Sequence, residues 1–414
     1  MRIHDIIRRL KETKILENYS FMTALNIVSA LISFFIYPYA VRMIGKEAFG
    51  VYPYALAWIT YFQTVIDFGF DSPAAKAIVE NRDNKAGKEA VLSAVFTAKL
   101  LLFAACSAVF LPMIFTVGDM KANKLVFLIA YAQVLTSVLF PVWYFQGMKN
   151  MRVVTCINVF FRLLSIPFIV IFVHQPDNLW IYVLVTTATM LGGGVFAYLY
   201  IIIHERLSIR IVPLSALKQW WRDGMPFFMS NITGQIKEGM VTIIVRYFFG
   251  YAEVTLYDIA KKLVMIPRMF TQSINGALFP EIIGNYSGTR VRKILKYNRI
   301  IGAGCSVLVM LLAYPAVRIL FGLEMLDAVP LTVILCWSIY TWLIAGAYHQ
   351  FVFIPNNKYY LITLNQVVAL VSCLVCLAGL LLWHNILILV IALTLSGFIE
   401  ILFCKAMTRK YQLL

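Results

Sequence analysis

Charge is scarce in this sequence of 414 residues. Only 14% are Asp, Glu, Lys or Arg, about half the share of a soluble domain. A soluble fold could not cover its surface with so few polar groups. Signatures of chemistry are missing as well. No G-x4-G-K-[ST] loop is present, which argues against nucleotide hydrolysis within the chain. No HExxH or GxSxG pattern occurs, and the five histidines are scattered along the chain. No enzyme and no bound cofactor are read from it. The seven cysteines lie in or at the ends of apolar runs. Cys373 and Cys376 form a CxxC inside LVSCLVCLAGL, with no second ligand pair nearby, and read as packing residues.

What the chain has in excess is apolar residues, 61% of the total. They gather into runs near 18–44, 49–70, 90–116, 124–147, 153–173, 179–203, 225–249, 255–283, 297–321, 329–353, 359–383 and 386–405. Each is long enough to span a bilayer as a helix of roughly 20 residues. Backbone groups in hydrocarbon must be satisfied within the segment, so helices are expected, about twelve of them. Residues 1–17 are basic and amphipathic and read as an interfacial helix.

The net charge is +16. In a soluble protein that would point to nucleic acid; its distribution here points elsewhere. Segments at 2–14, 76–88, 149–152, 206–222, 290–296, 358 and 405–410 hold 23 of the 36 Lys and Arg, whereas the alternate side holds Arg42, Lys46, Lys121 and Lys124. By the positive-inside rule the richer side is cytoplasmic, with both termini there. The polar stretch at 204–224 divides the chain into an N-lobe over 18–203 and a C-lobe over 225–405, followed by a tail at 406–414. The lobes echo one another. Gly45-Lys-Glu-Ala-Phe-Gly-Val-Tyr-Pro-Tyr-Ala55 parallels Gly250-Tyr-Ala-Glu-Val-Thr-Leu-Tyr-Asp-Ile-Ala260, each shortly after a Val-Arg pair. Two six-helix lobes of the same orientation, related by an axis along the membrane normal, are expected.

Charges inside spans are the candidate functional residues. Lys99, Arg162, Lys237, Lys261, Lys262 and Arg268 lie deepest. Facing lipid, each would cost roughly 2.5–3.5 kcal/mol, about 15–20 together, more than a typical folding stability of about 5–15 kcal/mol. They must face a polar cavity or carboxylates. Asp67, Glu238, Asp258, Glu281 and Glu400 are the membrane-level carboxylates. Glu238 adjoins Lys237 and cannot face it on a helix, whereas Asp258 is spaced to meet Lys262 or Lys261. Lys261 and Arg268, seven apart, share a face. A basic, water-filled interior suited to an anion follows. Trp143, Tyr144, Trp337 and Trp342 read more simply as interfacial belt residues than as sugar-stacking ones. Pro141 and Pro267 are among the prolines that can bend spans.

Four segments carry a family resemblance: YPYAVRMIGKEAFGVYPYA (37–55), DFGFDSPAAKAIVENRD (67–83), PVWYFQGMKNM (141–151) and VTLYDIAKKLVMIPRMFTQSINGALFPEI (254–282). Together they resemble the polysaccharide transporter family of oligosaccharide-lipid flippases, including O-antigen flippases. That family sits in the superfamily that also holds multidrug and toxin extrusion transporters. Asp71 departs from the neutral polar residue common there. The resemblance implies an alternating-access flippase of the bacterial inner membrane. Its substrate would be a polyprenyl-pyrophosphate-linked glycan, and its setting membrane lipids with a polysaccharide polymerase and a chain-length regulator as partners. A pyrophosphate needs cations. The expected head-group site is Arg162, Lys237, Lys261, Lys262 and Arg268, with Arg42 and Arg246 at the outer exit. Asp67, Glu238 and Asp258 are the expected sites of coupling to a proton or sodium gradient. The weighed alternatives are an ion-coupled multidrug exporter, whose cavity should be acidic, and a glycan polymerase, which needs a larger loop outside the membrane.

Overall fold

The structure is a computed structural model that describes residues 32, 35–284, 287–381 and 384–414. The expected amphipathic helix at 1–17 and most of the first expected span lie outside the described residues, as does the side chain of Glu281. Among the described residues all regular structure is helical. Eight stretches there are long and apolar enough to cross a membrane: Lys85–Thr116, Lys124–Gly147, Met151–Phe172, Pro176–Ile203, Gly288–Leu320, Ala328–Phe353, Tyr359–Leu380 and Ile386–Lys410. The fold is all-α and multi-pass. Val51–Asp67 stops after 17 residues. Lys218–Phe249 and Tyr251–Gly284 are long helices whose apolar runs are interrupted by charge, and these two carry Lys237, Glu238, Lys261 and Arg268.

The chain divides into two compact units. One takes the described residues up to Ile44 with Trp58–Asn231; the other takes Gly45–Ala57 with Ile232–Leu414.

In the first unit, Val51–Asp67 ends at a sharp joint. Phe68 and Gly69 both have positive φ, 42° and 71°. A Cβ on Gly69 would press on Phe227 and the Gly224 carbonyl, so glycine is required there for conformation and for space. Phe68 stacks on Phe228, their ring centroids 4.7 Å apart. The joint leads into the short helix Asp71–Glu80, which packs on Val142–Gly147. Pro141 breaks the span before that helix, since it supplies no amide hydrogen. Trp143 and Tyr144 are then turned inward, 3% and 1% exposed, among Ile78, Leu92 and Val154. They are core residues, not the belt residues the sequence suggested. Gly147 fits because a side chain there would meet Ile78.

The non-helical stretch after His204 is strapped along Lys85–Thr116. The amides of Ser208, Arg210 and Val212 donate to Glu89 Oε1 (2.9 Å), Ser93 Oγ (3.0 Å) and Thr97 Oγ1 (3.2 Å). Two residues of extended chain advance about 6.6 Å and four residues of helix about 6.0 Å. The near match lets alternate amides find a polar side chain every fourth residue. The strap is thereby satisfied without a sheet.

In the second unit the two glycine-led segments dock on each other. Gly45 and Gly250 both have positive φ, 82° and 107°. In each copy the fifth residue donates its amide to that glycine's carbonyl: Phe49 at 3.0 Å and Val254 at 3.3 Å. The sixth residue of each copy meets the second residue of the other. A Cβ on Gly50 would collide with the Tyr251 carbonyl, and Thr255 Oγ1 donates 2.6 Å to the Lys46 carbonyl. Such i-to-j and j-to-i contacts are what a two-fold relation produces. The contact depends on the absent side chain at Gly50. Gly50→Val should therefore lower the thermal unfolding temperature of the detergent-purified protein by several degrees. Gly304→Val, a helical position with nothing within 4 Å of the added Cβ, should leave it nearly unchanged.

Candidate functional site

Lys237 and Glu238 are adjacent on Lys218–Phe249, so their side chains leave the helix in different directions. Lys237 Nζ reaches Glu400 Oε1 on Ile386–Lys410 at 2.5 Å. The other oxygen of Glu400 accepts from Asn365 Nδ2 at 3.4 Å, and the same amide meets His349 Nε2 at 3.0 Å. Four helical segments distant in sequence are tied by this chain of polar groups, and Glu400 is only 6% exposed. Glu238 faces Tyr251–Gly284 instead. Arg268 donates to its Oε1 at 3.2 Å, and Lys261 lies 3.5 Å from its Oε2. The seven-residue spacing places both cations on one face, as the sequence predicts.

The guanidinium of Arg268 lies over the Trp342 ring, 3.4 Å from its centroid. That stack holds the planar group in place and attracts it through the ring quadrupole. Between these residues is a cavity of about 70 Å³, lined by Lys237, Glu238, Lys261, Arg268, Trp342 and Glu400 together with Tyr257, Ser338 and Thr341. A space of that size holds a few waters and no sugar. Three cations face two carboxylates across it, an excess of one positive charge. Gly397 closes one wall: its bare α-carbon lets the Ile386–Lys410 helix approach the Thr341 side chain.

The first unit holds a second buried cation. Lys99 is 3% exposed and donates to Asp67 Oδ1 (2.9 Å), Asp71 Oδ1 (3.1 Å) and the Ser137 carbonyl (3.2 Å). All three ammonium hydrogens are used. The joint at Phe68–Gly69 brings Asp71 round to stand beside Asp67. Asp71, the departure from the family pattern, thus supplies a second carboxylate. Its signal in the sequence was the need of Lys99 for a counter-charge.

The remaining candidates are placed as follows. Lys262 lies 3.9 Å from Asp258 one turn away on its own helix, the pairing read from their spacing. Arg246 lies over the Tyr251 ring at 3.9 Å, beside the docked glycine segments. Arg42 and Arg162 are exposed residues of the first unit. Sequence reasoning missed Asn365, His349 and the stacking role of Trp342, because none carries a local pattern. Among the described residues no group of three or more His, Cys, Asp or Glu is arranged to hold a metal ion.

Residues 15–286, about two thirds of the chain, match the family described as polysaccharide biosynthesis protein. The chain belongs to that family. Polysaccharide biosynthesis proteins resembling it include a candidate O-antigen transporter of Escherichia coli (strain K12), 23% identical over 293 residues, 69% of this chain and 70% of that protein. Solved structures share the fold, among them the following two. The lipid II flippase MurJ in an inward closed conformation gives a TM-score of 0.75 at 14% identity, covering 94% of this chain and 87% of that one. An inward-facing multidrug resistance transporter of the MATE family gives 0.71 at 14% identity, covering 92% and 95%.

The Lys237–Glu400 pair makes a stability prediction. Breaking a buried pair from one side leaves an uncompensated charge and costs about 3–5 kcal/mol. Lys237→Met and Glu400→Gln should each destabilise the purified protein by that order. The double variant should regain most of the loss, as read from thermal unfolding in detergent. Additive losses would mean that the two charges are not coupled.

Proposed function

We propose that this polysaccharide biosynthesis protein is a flippase of the bacterial cytoplasmic membrane that moves a polyprenyl-pyrophosphate-linked oligosaccharide to the outer leaflet. It is a transporter, not an enzyme. Family membership, the likeness to the E. coli protein and the fold shared with flippases and exporters support this reading. The observation that carries it is the cavity lined by Lys237, Lys261 and Arg268, whose cations outnumber the carboxylates. A cation-drug exporter would be served by the opposite imbalance.

In this reading the twelve spans form two parallel six-helix lobes, over 18–203 and 225–405, with both termini cytoplasmic, and they alternate in access. Glu238 stands in for the substrate anion while the site is closed. An arriving pyrophosphate oxygen competes with it for Arg268 and Lys261, where hydrogen bonds between ionised partners are strong. Protonation of Glu238 would release both cations to the substrate, which couples loading to a proton gradient. Asp67 and Asp258, each already beside a lysine, are the other candidate coupling carboxylates. Lys262, on the same helix as Lys261 and Arg268, is a further candidate for the head group, and Arg162, Arg42 and Arg246 are the other candidate cations. The glycan follows outside the small cavity, and its lipid tail remains in the bilayer. A polysaccharide polymerase and a chain-length regulator would receive the product.

Hydrogen bonds to charged groups contribute about 1.5–3 kcal/mol, which corresponds to a loss of roughly 10- to 100-fold. Arg268→Ala and Lys261→Ala should each reduce surface glycan by about that factor in a deletion host. The lipid-linked oligosaccharide should accumulate on the cytoplasmic face while protein level in the membrane stays unchanged. Normal export in both variants would contradict the assignment of this cluster to the head group.

A further inference from the structure

A second basic cavity lies elsewhere in the second unit. It is about 530 Å³ in volume and sits between the start of Gly288–Leu320 and the end of Ile386–Lys410. That is within the range of roughly 300–1,000 Å³ typical of small-ligand sites. Arg292, Arg299, Lys405 and Arg409 line it beside Leu414, the last residue of the sequence, and no Asp or Glu side chain does. The contrast with the Glu238 and Glu400 cluster is sharp. There each cation has a carboxylate within reach. Here none of the four makes an ion pair with a carboxylate among the described residues.

Their spacing makes the convergence deliberate. Arg292 and Arg299 are seven apart on one helix, and Lys405 and Arg409 four apart on the other, so each pair lies on one face. Like charges four apart, as Lys405 and Arg409 are, repel and weaken the isolated helix. Two basic pairs around one cavity add to that repulsion, which an anion held between them would relieve. The buried Tyr348 also lines the site and offers a hydroxyl group as a donor, whereas the Thr408 hydroxyl already donates to the Cys404 carbonyl (2.7 Å).

The surroundings favour an anion that carries acyl chains. Beyond Arg299 the same helix exposes Val307, Leu308, Leu311 and Tyr314. The partner helix exposes Leu402 and Leu395 ahead of Lys405. Charged residues therefore give way, along both helices, to apolar surface of the kind that faces hydrocarbon. A ligand with a phosphate at the cations and chains along these leucines would satisfy both parts.

We propose that this cavity is a binding site for the phosphate head group of an anionic glycerophospholipid, held as a resident lipid at the membrane surface. The proposal does not depend on the flippase reading. A basic pocket between helices at the membrane surface is chemically suited to such head groups.

The test uses the full-length protein, delipidated in detergent and reconstituted into nanodiscs of either phosphatidylglycerol or phosphatidylcholine. Thermal unfolding and native mass spectrometry are the readouts. The wild type should unfold several degrees higher in phosphatidylglycerol, and should retain at least one such lipid on release. In Arg292→Gln/Arg409→Gln, the difference between the two lipids should fall by at least half. Arg290→Gln/Lys293→Gln, which removes two exposed charges of the same helix that do not line the cavity, should behave as wild type. Both double variants are compared in phosphatidylcholine first, so that a general folding defect is read separately from loss of the lipid effect. Inorganic phosphate at millimolar concentration should not reproduce the shift. An equal lipid effect in the Arg292/Arg409 variant would overturn the site. An equal effect of inorganic phosphate would overturn the lipid as its ligand.

Discussion

A charge inside a bilayer has to be neutralised within the protein, and the arrangement of helices here follows from meeting that demand. Lys99, Lys237, Lys261, Lys262 and Arg268 each stand within ion-pair distance of a carboxylate. Only Lys262 finds its partner one turn away on the same helix. The others reach across to helices 23 to 163 residues distant in sequence. Each such pair fixes the register of two helices, because a shift of a turn would strand both charges. Polar pairs thus supply a specificity that apolar packing against lipid-like neighbours does not.

The same demand is met unevenly in the second unit. Satisfying every charge would have taken one more carboxylate beside Lys237, Lys261 and Arg268. In the proposed reading, the missing negative charge and a guanidinium held flat on Trp342 make this the site for the substrate anion. Close helix approach is arranged at its wall by Gly397 against Thr341, and elsewhere in the same unit by Gly50 against Tyr251. The docked glycine segments place Arg246 on the ring of Tyr251, so the repeated motif also organises a cation.

Much of this was legible in the sequence wherever the determining interaction is local. Eight of the twelve apolar runs coincide with helices long and apolar enough to cross a membrane. The spacing of Asp258 and Lys262, and of Lys261 and Arg268, foretold one pair and one shared face. The echo after Gly45 and Gly250 singled out two segments that the structure brings together. What could not be read depends on partners far along the chain. Adjacency rules out Glu238 as the partner of Lys237, but nothing in the sequence chooses Glu400 among the other carboxylates, or brings Asp71 to Lys99 through a joint at Phe68–Gly69. Trp143 and Tyr144 look like interfacial residues until Pro141 breaks the span and turns them into the core. Glu89, Ser93 and Thr97 form a stripe with period four, but its use as a strap site requires the chain after His204 to lie along it.

The central claim is that Glu238 and Glu400 are held as carboxylates by Lys237, Lys261 and Arg268. Isotope-edited infrared difference spectra of wild type against Glu400→Gln and Glu238→Gln, in lipid near neutral pH, test it most directly. Each variant should lose intensity in the carboxylate stretching bands and none in the protonated carboxyl band. Loss from the protonated carboxyl band would show these groups to be neutral, and would contradict the pairing on which the fold and the proposed site rest.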